Sequence, residues 1–536
     1  MRKPVSLFTL TAAIIAAAWW WLGHPVAIPP SPLDPGEKLY CISYAPFRGA
    51  QTPLDLATVI SPQQIEQDLA QLSKFTDCVR IYSVDFGLDQ VPEIAGRYGL
   101  KVLLGVWVSS HADRTQYQLS TGIALANKYP NVVRGVIVGN EALLRGEVSV
   151  ATLREYIVTV KSRVKMPVTY ADVWEFWLRY RELASAVDFI TVHILPYWED
   201  DPVSAEKAAE HVDSIRRHVA SEFPGREIVI GEFGWPSAGR MREGALPSPA
   251  TQARVISDVL ARGKAQNFRV NLIEAFDQPW KRTLEGTVGG HWGLYSDSPR
   301  RQKFFWGEAV SNHPHWGWQA AAGIALAALA FGAAFAMRKR GLAADTDGWW
   351  LWSAVGCNAA AAGIMAGWIV ENVPVESLGA GGWIRSLAFA AVAFAAPIAG
   401  SAALAAGRSA PPFRSMVGPR ERRAQNPLTR ILGLVLIALC VLAIQSALAL
   451  SFDPRYRDFP FAAMTAAVTP FALLAWAAPL RSEERPLAET LAAAVLLLCA
   501  GFIVWNETLA NWQALWFSGT LGVLAFSLLR APDARN

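Results

Sequence analysis

From Leu39 the chain repeats one pattern eight times: a short β-branched run, then a longer polar–apolar stretch of helical period. The strand candidates are 39–46, 78–84, 101–109, 132–140, 167–174, 189–197, 227–232 and 269–276. Helical stretches 62–75, 88–98, 114–128, 149–164, 175–186, 203–222 and 249–266 separate them, and Ser61-Pro62 opens the first as an N-cap and N1 pair. Eight such units predict a (β/α)8 TIM barrel of class α/β, closed by a last helix near 300–311. The alternative is an open doubly wound sheet. Against it, Ser43-Tyr44-Ala45-Pro46-Phe47-Arg48 follows the first strand, where a phosphate loop would carry glycines.

The composition changes near residue 313. Residues 37–312 mix charged and apolar side chains, and 313–536 is mostly Ala, Leu, Val, Trp and Gly in runs long enough to cross a bilayer. Seven spans are expected, near 317–337, 349–370, 383–406, 431–450, 459–480, 487–505 and 511–529, so the barrel is followed by an all-α polytopic membrane domain. A further apolar run, Val5–Leu22, follows Arg2 and Lys3. It reads as a signal peptide or an uncleaved anchor, and Trp19-Trp20-Trp21 stand where a cleavage site wants small residues, favouring an anchor over 1–24. Residues 25–36, rich in proline, read as a stiff linker, and 37–312 as the catalytic domain.

The loops set an orientation. Arg338-Lys339-Arg340 follows the first C-terminal span. The loop 407–430 carries Arg408, Arg414, Arg420, Arg422, Arg423 and Arg430; Arg481 and Arg485 follow the fifth span, and Arg530 and Arg535 the seventh. Loops 371–382 and 506–510 carry no Lys or Arg. The positive-inside rule then predicts cytoplasmic termini and a barrel outside the cytoplasm. Net charge is +4, which these loops explain, so nucleic acid is not an expected partner. Cys41 and Cys78 fall in neighbouring strands and read as buried thiols; no CxxC metal motif or cofactor signature is present.

Two acids end predicted strands. Glu141 closes Val138-Gly139-Asn140-Glu141 on the fourth, and Glu232 lies in Gly231-Glu232-Phe233-Gly234-Trp235-Pro236-Ser237 on the seventh. Both would lie at the C-terminal mouth of a barrel. Glycoside hydrolysis needs such a pair: one carboxyl protonates the departing oxygen, and the other attacks the anomeric carbon or activates water. Glu141 would then have to hold its proton while Glu232 is ionised, so their environments should push the two apart. Asn140 is placed to hydrogen-bond a sugar 2-hydroxyl and Trp235 to stack on a pyranose. Transport is not favoured, because the centres of the C-terminal spans are apolar and Arg385 and Glu489 lie near span ends.

These two motifs resemble the signatures of glycoside hydrolase family 17, the β-1,3-glucanases. Val79-Arg80-Ile81-Tyr82, Pro196-Tyr197-Trp198 and Glu274-Ala275-Phe276-Asp277-Gln278-Pro279-Trp280-Lys281 agree in order. The resemblance spans roughly 37–310 and is greatest to the bacterial membrane-bound branch associated with β-(1→3),(1→6)-glucan synthesis in the periplasm. It implies a retaining mechanism, with Glu232 as nucleophile and Glu141 as general acid/base. It also implies a β-glucan substrate, transfer of glucosyl units to β-1,6 linkages or plain hydrolysis, and a glucan synthase as a possible partner. Tyr44, Arg80, Tyr82, Tyr197, Glu274 and Lys281 are the further substrate-binding candidates. Arg80 and Tyr82 read as sugar contacts or orienters of the acids, Tyr197 as a contact to nucleophile or sugar, and Glu274 with Lys281 as subsite residues or a salt bridge. His193 reads as a core or supporting residue. Trp174, Trp177, Trp198, Trp280 and Trp292 are candidates for an acceptor subsite or for rim packing.

Overall fold

The computed structural model describes residues 2–339, 348–417, 426–477 and 487–530. Two compact units divide the chain: residues 26–310, and residues 1–25 with 311–536.

The first unit is a closed barrel of eight parallel strands. These are β1 (Cys41–Ser43), β2 (Cys78–Ile81), β3 (Lys101–Val106), β4 (Val133–Asn140), β5 (Val168–Val173), β6 (Ile190–His193), β7 (Ile228–Phe233) and β8 (Arg269–Leu272). Closure comes from β1 pairing with β8, Cys41 opposite Asn271 and Ile42 opposite Leu272. Each strand is buried on both faces, which is why the runs read as nearly continuous apolar segments. Val79, Val102 and Val136 join the large core under the helices. On alternate positions Cys41, Cys78, Leu103, Ile137 and Ala171 form a separate cluster inside the barrel. Above them the interior turns polar, with Ser43, Arg80, Thr191, His193 and Asn271 all buried. Ser61 caps the helix Pro62–Leu72 by accepting from the Gln64 amide, a contact worth about 1 kcal/mol.

Three sequence expectations change. The last helix expected near 300–311 is absent. The helix after β8 is Arg282–Gly289, and Ala309–Val310 instead pairs antiparallel with Val26–Ala27. That pairing, together with burial of Ile28, ties the proline-rich stretch to the barrel unit instead of leaving it a free linker. Cys41 and Cys78 are buried but are not thiols: they form a disulfide, with Cα atoms 4.3 Å apart. The register explains it, since Ile42 faces Val79 and so brings the two preceding residues side by side. Strand pairing, not a spacing motif, makes that bond.

The second unit is helical. Among the described residues, seven helices are long and apolar enough to cross a membrane: Lys3–Leu22, Trp316–Lys339, Trp349–Glu376, Gly379–Ala405, Pro427–Phe452, Leu487–Glu507 and Trp512–Leu529. Phe461–Ala477 is shorter, and the span expected at 459–480 runs into residues outside those described. Helix Arg2–Leu22 packs in this unit. Its Trp19 is fully buried and donates from Nε1 to the Ile364 carbonyl at 3.2 Å. Of the loop cations, Arg340, Arg420, Arg422, Arg423, Arg481, Arg485 and Arg535 lie outside the described residues.

Candidate active site

The strand ends at the C-terminal mouth are irregular where the chemistry sits. Register shifts occur between Ile137 and Asn140, between Val192 and His193, and between Ile230 and Phe233. Such bulges re-aim side chains. They bring Asn140, Glu141, His193 and Glu232 together from β4, β6 and β7. Glu141 also takes a left-handed backbone, φ 51°, which costs a non-glycine residue about 1–2 kcal/mol. Its amide donates to the Ala171 carbonyl at 2.8 Å, and its carboxylate meets His193, which together hold that conformation.

Facing oxygens of Glu141 and Glu232, with a ring nitrogen of His193, all lie within 4.8 Å of one another. Glu232 is almost fully buried, and the Glu141 side chain is 23% exposed, nearer the opening. Arg80 Nη1 donates to Glu232 Oε1 at 3.2 Å and to the Gly231 carbonyl at 2.6 Å. Arg80 Nη2 donates to Asn140 Oδ1. The Tyr82 hydroxyl is 2.9 Å from Glu232 Oε1 and 2.8 Å from Ser43 Oγ, and Asn271 Nδ2 donates to that Ser43 oxygen at 2.9 Å. Tyr82 has a single proton: given to Glu232, it leaves Ser43 to donate to the Tyr82 oxygen and Asn271 to donate to Ser43. Glu232 Oε1 thus faces two donors, Arg80 and Tyr82. The three groups offer one nitrogen and two oxygens at a spacing a metal ion could use, but Arg80 already supplies the compensating positive charge and would repel a cation.

Glu141 does not follow the expectation that its environment holds its proton. Burial pushes its carboxyl up, but the hydrogen bond from His193 Nδ1 at 2.8 Å and that ring's charge, with Arg145 and Arg80, outweigh burial and hold it below the ordinary carboxylate range. Behind it, burial raises Asp172 to about 6 against the hydrogen bond from Tyr170 and the charge of His193.

Glu274 and Lys281 form a buried ion pair, Oε1 to Nζ 2.7 Å. Burial raises Glu274 to about 7, with Lys281 opposing it. Lys281 also feels Glu285 and Glu232, and Glu285 is raised by burial while facing Lys281, Glu141 and Glu232. The sequence reading did not single out Glu285, which comes from the helix after β8. Gln278 is fully buried and donates to the Ala45 and Phe276 carbonyls, so it braces the loop.

Three binding candidates lie elsewhere. Tyr44 points out of the barrel and is buried against the helix Pro62–Leu72, its hydroxyl donating to Asp68 at 3.1 Å. Tyr197 is fully buried, and its hydroxyl donates to the Arg240 carbonyl at 2.9 Å. Trp235 is also fully buried, with its Nε1 on the Leu246 carbonyl at 3.1 Å, so neither ring face is open for a sugar. The burial of Trp235 follows from the turn itself. A side chain at Gly234 would come within 2.0 Å of the Ile273 carbonyl, so β7 runs directly onto the β8 backbone and folds the tryptophan inward. Of the tryptophan candidates, Trp177 and Trp292 are buried, and Trp174, Trp198 and Trp280 are partly exposed. Trp107 after β3 is a further half-buried ring, with Arg145 stacked 4.4 Å from its centre.

Known proteins share this domain. Residues 41–293 match the family described as the BtgE/BtgC glycoside hydrolase domain. A putative glucan endo-1,3-beta-glucosidase btgC of Aspergillus niger is 29% identical over 280 residues, 47% of this chain and 40% of that protein. A probable beta-glucosidase btgE of Neosartorya fischeri is 28% identical over 260 residues, covering 47% and 45%. The chain thus spans less than half the length of these curated relatives. Among solved structures, a family 17 beta-1,3-glucanosyltransferase from Rhizomucor miehei is 25% identical, covering 49% of this chain and 95% of that one, with a TM-score of 0.42. Over residues 41–293 the chain is thus similar to the BtgE/BtgC glycoside hydrolase domain.

Proposed function

We propose that this chain is a membrane-bound retaining enzyme that acts on β-1,3-glucan outside the cytoplasm and passes glucosyl units to glucan hydroxyls, forming β-1,6 linkages. The observation that carries the reading is the pair of carboxylates within 4.8 Å at the mouth, one of them gripped by Arg80 and Tyr82. A separation near 5 Å leaves no room for a water between acid and anomeric carbon, and so favours retention. Glu232 attacks the anomeric carbon while Glu141 gives its proton to the departing oxygen. A glycosyl ester forms on Glu232, and Glu141, now a base, takes the proton of the incoming hydroxyl. Asn140, Glu274 and Lys281 border the reacting centre, with Glu285 beside them.

The location rests on separate observations. Disulfides persist in oxidising compartments, and Cys41–Cys78 is inside the barrel. Helix Arg2–Leu22 buries Trp19 among the other apolar helices, which supports a retained anchor. Arg338, Lys339, Arg408, Arg414, Arg430 and Arg530 follow or precede alternate helices, as the positive-inside rule requires of a bacterial inner-membrane protein with cytoplasmic termini and a periplasmic barrel. The partly exposed rings Trp107, Trp174, Trp198 and Trp280 favour a sugar acceptor over water, and a glucan synthase would supply the chains.

Solubilised full-length protein incubated with laminari-oligosaccharides tests this, with products analysed by NMR. Longer products bearing new 1,6 linkages are expected; shorter chains alone would make the enzyme a plain β-1,3-glucanase.

A further inference from the structure

His193 has no part in a scheme built from two carboxylates, yet it lies between them. Its side chain is completely buried. Nδ1 is 2.8 Å from Glu141 Oε1, and Nε2 is 3.5 Å from both Arg80 Nη1 and Glu232 Oε1. The charged and titratable groups around the ring are Arg80 from β2, Glu141 and Arg145 after β4, Asp172 from β5 and Glu232 from β7. A Glu141 carboxylate can only accept, so at 2.8 Å Nδ1 carries a proton aimed at it, whereas Nε2 stands equally far from a donor, Arg80, and an acceptor, Glu232. The ring is fixed in place as well. A side chain at Gly231 would stand 3.2 Å from His193 Cδ2 and 2.3 Å from Thr191 Cγ2, so β7 leaves space for the imidazole and little more.

An N–H given to a carboxylate favours the ionised form. The ionised form of Glu141 is of no use while the leaving group departs, but it is required when the acceptor arrives. We propose that His193 is a positioning residue for the second half-reaction, its Nδ1–H holding Glu141 as the carboxylate that deprotonates the incoming hydroxyl. The proposal rests on the two-carboxylate reading above. In that step the acceptor O–H gives its proton to Glu141, and its oxygen bonds to the anomeric carbon. The ester bond to Glu232 breaks, and its electron pair returns to the Glu232 carboxylate, where Arg80 and Tyr82 receive it. His193 keeps its proton throughout. Its share is to keep the base ionised and aimed.

The test uses solubilised full-length protein and an aryl β-laminaribioside, whose phenolate departs without acid help. His193→Leu removes the donor, and His193→Asn places an amide N–H near the Nδ1 position. In His193→Leu a stoichiometric burst of phenolate is expected, followed by steady turnover reduced about 10–100-fold, the loss associated with one charged hydrogen bond. Sodium azide, a nucleophile that needs no base, should restore that turnover, and His193→Asn should recover part of it unaided. Unchanged turnover in both variants, or loss of burst and azide response in both, overturns the proposal. Glu141→Ala separates the two readings: its own burst and azide rescue support the acid/base assignment whatever His193 does, and their absence sinks that assignment instead.

Discussion

The Tyr82 hydroxyl stands 2.9 Å from Glu232 Oε1, at the end of a donor chain that begins at Asn271 and passes through Ser43. Arg80 contacts the same oxygen at 3.2 Å. Oε1 is therefore held by two donors of the protein, and in the double displacement proposed above the other oxygen is the one that attacks. Removing the Tyr82 hydroxyl should lower kcat/KM about 10–100-fold, the scale of one hydrogen bond to a charged group. Stopped-flow measurement on Tyr82→Phe should place the loss in formation of the glycosyl-enzyme. A variant as fast as wild type in that phase would remove Tyr82 from the account.

Gly231 tests how tightly the ring of His193 is packed. Its Cβ would fall 2.3 Å from the Thr191 methyl, too close without movement of β6 or β7. Gly231→Ala should destabilise the barrel by about 1–3 kcal/mol, the range for overpacking a filled interior. Denaturant titration followed by tryptophan fluorescence checks it, and an unchanged midpoint contradicts it.

Glu274 makes a pH signature. Its folded-state value, about 7, lies above its ordinary 4.5, chiefly from burial. The folded barrel therefore holds a proton that the unfolded chain releases. The stabilisation from this group is complete below pH 4.5 and is lost as pH rises to about 7. Relative to Glu274→Gln, wild type should lose on the order of 3 kcal/mol across that window. Stability curves of the two proteins that run parallel from pH 4.5 to 7.5 would contradict this.

The disulfide joins two residues 37 positions apart in the sequence. Replacing Cys41 and Cys78 together by serine should cost about 2–4 kcal/mol, and reductant should mimic part of that loss. Thiol labelling under denaturation gives the direct check. In the described residues Cys357, Cys440 and Cys499 are free, so two further thiols should appear after reduction. Labelling that is the same with and without reductant would show that no bond exists.

Much of this was legible in the sequence. Seven of the eight barrel strands lie inside the segments marked by β-branched runs, and β7 overruns its segment by one residue, Phe233, because a parallel strand buried on both faces must be apolar at nearly every position. Both glutamates were legible because an acid ending such a run has only the mouth to face. The side chains read wrongly do not share one cause. Tyr197 and Trp235 follow the ends of β6 and β7, where bulges and a tight turn decide which way a side chain points, whereas Tyr44 simply continues the alternation of β1, with Ser43 inward and Tyr44 outward. The place of His193 between the two acids was hidden because a polar residue inside a strand looks the same whether it packs or faces a site. Its position opposite Glu232 exists only in the register of β6 on β7. Glu285 was hidden because it arrives from a helix after the last strand, with no motif around it.

The central claim is that Glu141 and Glu232 carry out a double displacement. Time-resolved proton NMR of the first turnovers on laminari-oligosaccharides measures it directly, by showing the anomeric configuration of the transferred glucosyl unit, in the new linkage or, where water takes it, before mutarotation. The β-anomer should form first, and Glu232→Gln should abolish its formation. An α-anomer appearing first, or full activity in Glu232→Gln, would contradict the mechanism.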